Sequence, residues 1–171
     1  MLHTQFTRDA ELDITNYKQI ESYITAIGPS GWHAPVGAVE VRERVEKYHH
    51  EHVDVLDAYV ADVASVWNKK VQHFTAFTNA LFRPEDTPTA TYTCYPTIWP
   101  LVARDPERKT VAFPVEVTPT EASAVLAHEF LHELYYRHIA HSFPHVDINS
   151  RAVWDVSEVV NVLIMSSPEW Q

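Results

Sequence analysis

The chain has 171 residues, of which 46% are hydrophobic, and it carries a formal net charge of −10. This composition fits one domain with a hydrophobic core and excludes a disordered chain, while the negative charge argues against nucleic acid as a partner. The sequence has no run of about 18 apolar residues and no apolar segment near residue 1 that would predict a signal peptide. The single cysteine, Cys94, cannot form an internal disulfide. We therefore expect a cytoplasmic protein with no membrane contact.

Residues 1–82 are predicted to be mostly helical. Apolar residues recur at helical spacing from residue 12 to residue 27, and the GPSGW sequence at 28–32 should end this first helix. A second periodic stretch runs from about Val36 to Leu81 and forms either one long helix or two. We expect these helices to form the back of the core.

The chain changes character after a polar, proline-containing connector at residues 83–90. Residues 91–95 (TYTCY) and 110–117 (TVAFPVEV) are rich in β-forming residues, and the RDPERK sequence between them is typical of a turn. The two segments predict an antiparallel β-hairpin. Pro114 cannot donate a hydrogen bond to a central ladder, so the second strand is expected at an edge of the sheet.

Two further helices are predicted from their capping residues. Thr118 can cap a helix, Pro119 suits the first turn, and the glutamate three residues after the cap completes a capping box. This helix should run to about His138. Ser150 can cap a last helix that extends to about Met165.

The helix that begins at Pro119 contains HEFLH, which fits the pattern HExxH. His128 and His132 are one turn apart on the same face, so both imidazoles can reach one metal ion. Glu129 leaves the helix about 100° away and can take a proton from metal-bound water without binding the metal. With 11 histidines the pattern arises by chance in roughly 6% of such chains. Its position on a capped helix among apolar residues favours a zinc site.

A hydrolytic zinc site needs a third protein ligand and one open position. Glu158 is the stronger candidate, because it is a single carboxylate in the apolar stretch of the last helix and a charge there requires a partner. Asp155 and Asn161 lie on nearly the same helix face and could orient a ligand.

His138 is the competing candidate, because it completes HExxHxxxxxH, the spacing of the metzincin clan. That clan has a glycine where this chain has Tyr135, and a tyrosine resists the left-handed conformation that would stop the helix. If the helix continues, His138 faces away from His132, so we expect it not to bind the metal.

Other histidines have weaker claims on chemistry. His49, His50 and His52 form a second histidine-rich patch, which is expected to be a solvated helix face rather than a second metal site. A donor to the oxyanion of peptide hydrolysis could come from several residues after the motif. The candidates are Tyr135, Tyr136, His141 and His145, the last paired with Asp147.

The motif followed by a helix that carries Glu158 resembles the gluzincin clan of zinc peptidases, and looks most like the compact minigluzincins. The resemblance covers about residues 90–165 in the order hairpin, active-site helix, glutamate helix. Larger gluzincins often have an aspartate or a small residue four positions after the glutamate, where this chain has Val162.

The residues predict a mostly helical α+β fold in one domain spanning residues 1–171, with the N-terminal helices packed on a small antiparallel sheet. The resemblance implies that this fold is of zincin type. It implies hydrolysis of peptides or proteins by a zinc-activated water. His128, His132 and Glu158 would bind Zn²⁺ and Glu129 would be the general base. An extended substrate is expected to pair with a free edge near residues 110–117.

A non-catalytic protein is the alternative. Such a protein would use zinc as a pin between helices, or would bind peptides or regulate a partner without cutting. A closed structural site fills four positions from the protein and is usually rich in cysteine. The single cysteine and the glutamate directly after His128 favour a peptidase.

Overall fold

The computed structural model describes residues 2–27 and 38–170. These ranges form an α+β structure of five α-helices, a short 3-10 turn at Pro84–Asp86, and four β-strands. The helices are α1 (Ala10–Ile27), α2 (Ala38–Glu51), α3 (Val53–Leu81), α4 (Pro119–Ser142) and α5 (Arg151–Met165). The strands are β1 (His3–Phe6), β2 (Thr91–Thr97), β3 (Arg104–Asp105) and β4 (Thr110–Pro114).

Three of the helices, α1, α4 and α5, begin where a side chain binds free backbone N–H groups of the first turn. Asp9 Oδ1 accepts hydrogen bonds from two backbone N–H groups at the start of α1. The predicted capping box of α4 is confirmed, because Thr118 Oγ1 accepts from the Glu121 N–H at 3.3 Å and the glutamate reaches back to the Thr118 N–H at 2.8 Å. Ser150 caps α5, as predicted. The second periodic stretch is two helices, and its predicted start at Val36 and the breaker at 28–32 lie outside the described residues.

The four strands form one mixed sheet in the order β1-β2-β4-β3. β1 pairs parallel with β2, β2 pairs parallel with β4, and β3 pairs antiparallel with β4. The predicted antiparallel hairpin of residues 91–95 with 110–117 is therefore wrong, because those two segments run parallel. The turn at 106–109 instead joins β3 to β4 in a short hairpin.

The prediction that residues 110–117 form an edge strand is also wrong. β4 lies between β2 and β3, and the edge of the sheet on this side is β3. Pro114 is tolerated because it is the last residue of β4 and lies beyond Thr110 and Val111, the two residues that pair with β3. The other edge strand, β1, was not predicted from the sequence.

The main core lies between the sheet and the helices α3 and α4. Its members come from β2, β4 and the two helices, and include Trp67, Phe74, Tyr92, Phe113 and Phe130. A second, smaller cluster joins α1 and α2 around Trp99. No helix in the described ranges is both long and apolar enough to cross a membrane.

The chain between β2 and β3 crosses from the sheet to its edge. We name residues 98–104 the rim segment, because residues 100–104 border the candidate site described below. Two fully buried side chains of α1 hold it: Asp13 Oδ2 accepts from the Ile98 N–H at 3.3 Å, and Asn16 Oδ1 accepts from the Ala103 N–H at 2.8 Å. Thr97 donates its hydroxyl to Asp13 Oδ1 at 2.5 Å. These bonds fix the path of the rim segment.

Candidate metal centre

Two helices bring three potential metal ligands together. His128 and His132 lie one turn apart on α4, and Glu158 lies near the middle of α5, which packs against α4. The two histidine Nε2 atoms are 3.0 Å apart, and the Glu158 carboxylate oxygens lie 3.4 Å from His132 Nε2 and 3.6 Å from His128 Nε2. All three side chains can therefore offer a donor atom to one ion.

The electrostatics of the two imidazoles suit metal binding. Burial lowers the pKa of His132 to about 3, and the neighbouring His128 and Arg104 add to this effect. Burial also lowers the pKa of His128. Both rings are consequently neutral near pH 7 and present lone pairs, which is the form that a metal requires.

The rotation of α4 places Glu129 beside the two histidines without bringing it into their cluster. Its carboxylate lines the same cavity. Burial raises the pKa of Glu129 to about 7, an effect that Arg104 opposes and Glu158 reinforces. A carboxyl group with such a pKa can both accept and release a proton near neutral pH.

The three candidate ligands and Glu129 open into a cavity of about 770 Å³. The cavity is bordered by α4 and α5 on one side and by the rim segment on the other, with Gln19 and Ile20 of α1 at one end. Most of this wall is apolar, including Leu101, Val102 and Val125. The cluster is therefore accessible to a molecule entering from solvent.

Of the two side chains expected to orient a ligand, one lies at the cluster. Asn161 is fully buried and donates through Nδ2 to the His128 backbone carbonyl at 3.1 Å, with His128 Nδ1 3.5 Å away. Asp155 instead forms an exposed ion pair with Arg151. Asn161 can thus hold this part of α4 against α5.

The apolar residues that made Glu158 stand out in the sequence are mostly exposed. Val156, Val159, Val162 and Leu163 are 50–66% exposed, so they do not by themselves require a partner for its charge. The buried residues of α5 are Val153, Ser157 and Asn161, so two of the three are polar. Glu158 is half-buried, and burial raises its pKa.

The remaining predicted residues separate into those near the cavity and those elsewhere. Tyr136 lines the cavity and its ring stacks on His132 with 6.2 Å between centroids. His141 and His138 both bind the buried Asp86, at 2.7 and 2.9 Å. α4 continues to Ser142, so the predicted continuation of the helix beyond Tyr135 is confirmed.

The second histidine patch is not a solvated face throughout. His49 is buried and its Nε2 lies 3.0 Å from Asp13 Oδ2, so it belongs to the network that holds the rim segment. His50 is exposed, and the His52 ring stacks on Tyr48. Within the described residues, the cluster of His128, His132 and Glu158 is the group of His, Cys, Asp and Glu side chains placed to hold a metal.

Sequence reasoning missed Arg104. This residue lines the cavity, its side chain is only 11% exposed, and its Nη1 donates to the buried carboxylate of Glu133. Its guanidinium also lies 5.5 Å from the Tyr136 ring centroid. In the sequence it begins the polar turn RDPERK, a pattern typical of solvent-exposed residues, so no local signal distinguishes it.

Comparisons with protein-family models, with curated proteins and with solved structures found no match to this chain.

Proposed function

We propose that the protein is a zinc-dependent peptidase. The observation that carries this proposal is the convergence of His128 Nε2, His132 Nε2 and a Glu158 carboxylate on one point, with Glu129 in the same cavity. A tetrahedral ion bound at about 2.1 Å requires its ligand atoms to be about 3.3–3.5 Å apart. The two imidazole nitrogens are 3.0 Å apart, and one Glu158 oxygen lies 3.4 Å from His132 Nε2 while the other lies 3.6 Å from His128 Nε2. All three side chains are therefore within reach of one ion.

The chemistry of the donors favours zinc among the common metals. Calcium and magnesium prefer all-oxygen ligands, whereas two neutral imidazoles with one carboxylate suit zinc. Three protein ligands beside an open cavity match a catalytic site, since a structural zinc site fills all four positions from the protein. This observation favours the peptidase over the alternative of a non-catalytic, zinc-pinned binding or regulatory protein.

A bound zinc ion would supply acidification of water and polarisation of a substrate carbonyl. Glu129 accepts a proton from the attacking water as the water oxygen bonds to the carbonyl carbon. The same carboxyl group then gives that proton to the leaving amide nitrogen as the carbon–nitrogen bond breaks. Tyr136 and Arg104 line the same cavity and are candidates to donate a hydrogen bond to the negatively charged oxygen.

The substrate is placed along the rim segment. The substrate was expected to pair with a free edge near residues 110–117, but β4 lies inside the sheet. The rim segment is now the proposed pairing site, because it borders the cavity. β3 is the sheet edge on this side, and an extended peptide can add to such an edge through its backbone. This arrangement of an edge segment, the HExxH helix and a glutamate helix supports the zincin-like fold and the gluzincin resemblance as part of the proposal.

The experiment uses a mixed peptide library with mass spectrometry as the readout. Wild type loaded with zinc is expected to produce internal cuts that a chelator abolishes. Glu129→Gln keeps the size of the side chain and removes its basicity, so it should retain zinc and lose activity by about 10²-fold or more. His145→Ala is the matched control and should cut normally, because this exposed histidine, a candidate donor to the oxyanion from the sequence, does not line the cavity. Equal cutting by Glu129→Gln would overturn the mechanism.

A further inference from the structure

A second cavity adjoins the one that contains the candidate metal ligands. It also has a volume of about 770 Å³. Arg104, Tyr136 and Trp154 line both cavities, so the two are neighbouring parts of one cleft. A peptide that extends past Arg104 from the first cavity enters the second, whose lining can therefore select substrates.

The second cavity is rich in cations although the chain as a whole is acidic. Four of the 13 lysines and arginines line it, against two acidic residues, so its lining carries a formal excess of two positive charges. The cations are Arg104, Lys109, Arg137 and Arg151, and the acids are Glu107 and Glu133. Such a wall attracts negative charge in a protein whose net charge is −10.

The acidic residues leave donors in this wall unused. Glu133 is buried and serves two guanidinium groups, accepting from Arg104 Nη1 and from Arg137 Nε at 2.9 Å. Each guanidinium has five N–H donors, so one carboxylate with about four lone-pair sites cannot bind all ten. Lys109 donates to the backbone carbonyl of Pro106 and its Nζ lies 5.8 Å from the Tyr92 ring centroid, and within the described residues no ion pair joins it to a carboxylate.

The cations of this wall outnumber the carboxylates that bind them. Arg104 and Arg137 share Glu133, and a lysine with no carboxylate partner among the described residues lies in the same wall. Arg151 is exposed and pairs through Nε with Asp155 at 2.7 Å, outside the cavity lining. Guanidinium groups bind carboxylates strongly, because the two form paired, charge-assisted hydrogen bonds.

We propose that this second cavity binds an acidic side chain of the substrate, so that the protein prefers peptides with Asp or Glu within about three residues of the cleaved bond, on one side only. The inference rests on the proposed peptidase function for its cleavage step. The cavity's affinity for carboxylates rests on its own residues.

The cleavage arm uses a peptide found in the library screen, with Glu, Gln or Lys placed in turn at the three positions on each side of the cut. At one position Glu should exceed Gln about 10–100-fold in kcat/KM, and Lys should be cut most slowly. The double variant Lys109→Gln/Arg151→Gln should lose about tenfold of this preference, and Lys109→Glu should weaken it further. Arg108→Gln, an exposed arginine of the same turn outside the cavity, is the matched control and should keep it. Cleavage with no preference for acid at any position would overturn the inference and leave the peptidase standing.

The binding arm separates the two proposals. Zinc-loaded Glu129→Gln is titrated into fluorescein-labelled alanine–glycine octapeptides that carry a single Glu, Gln or Lys, and fluorescence anisotropy is measured. Tighter binding of the Glu peptide that is lost when Lys109 and Arg151 are replaced in that background supports carboxylate binding by the second cavity. This support holds even if wild type cuts no peptide, a result that would overturn only the proposed peptidase function. Equal affinity for the three peptides would overturn the acidic preference.

Discussion

Asp13→Asn should be among the most damaging conservative changes in this protein. The carboxylate is fully buried and its Oδ2 accepts both from the Ile98 N–H at 3.3 Å and from His49 at 3.0 Å, while Oδ1 accepts from the Thr97 hydroxyl at 2.5 Å. An asparagine can keep the bond from Thr97, but its NH₂ group must then face the two donors that Oδ2 served. Each buried donor left unsatisfied costs about 1–3 kcal/mol, so the loss of two should lower the free energy of unfolding by about 2–6 kcal/mol.

Urea denaturation measures this loss, with Asp57→Asn as the matched control. Asp57 is 55% exposed and pairs with Arg8 at 2.7 Å, a surface pair whose loss should cost less than about 1 kcal/mol. Since the network fixes the rim segment, Asp13→Asn should also raise KM for peptides while zinc content stays at the wild-type value. A loss for Asp13→Asn no larger than that for Asp57→Asn would refute the claim that the buried network holds the rim segment.

Three further changes test other parts of the structure. Glu158→Ala should weaken zinc binding strongly in a competitive chelator titration. His138→Ala, which removes a hydrogen-bond partner of Asp86, should leave zinc affinity near the wild-type value. The opposite ranking would favour the metzincin arrangement. Asn161→Leu removes the hydrogen-bond donor to the His128 carbonyl and should lower zinc affinity about tenfold in the same titration. An unchanged zinc affinity would contradict the proposal that Asn161 orients His128. Burial would raise the pKa of Asp86, but hydrogen bonds from His141, His138 and a backbone N–H outweigh it and lower the pKa. The stabilisation by the Asp86 carboxylate is therefore complete above about pH 4 and is lost as the pH falls through the lowered pKa. Urea denaturation at pH 5 should show that Asp86→Asn lowers the free energy of unfolding by about 1–3 kcal/mol, and this deficit should shrink toward pH 3. A deficit that stays constant with pH would contradict the prediction.

The helices were predictable because their signals are local. The capping box at Thr118, the cap at Ser150 and the helical periodicity each depend on residues within one or two turns, and the structure has all of them. The spacing of His128 and His132 is local in the same sense, so their shared helix face followed from the sequence alone.

The sheet was not predictable in the same way. Its strand order depends on the path of the rim segment, which Asp13 and Asn16 hold from more than 80 residues away. Local β-propensity identifies residues 91–95 and 110–117 as strands but carries no information on whether they run parallel. Arg104 was missed for the same reason, since its burial against Glu133 arises only when β3 is placed beside α4.

The zinc content of the purified protein tests the central claim most directly. Elemental analysis by mass spectrometry should find about one zinc per chain in wild type and in His145→Ala, and strongly reduced zinc in His128→Ala, because His128 supplies one of three ligand atoms. Equal zinc in wild type and His128→Ala would contradict the proposed site.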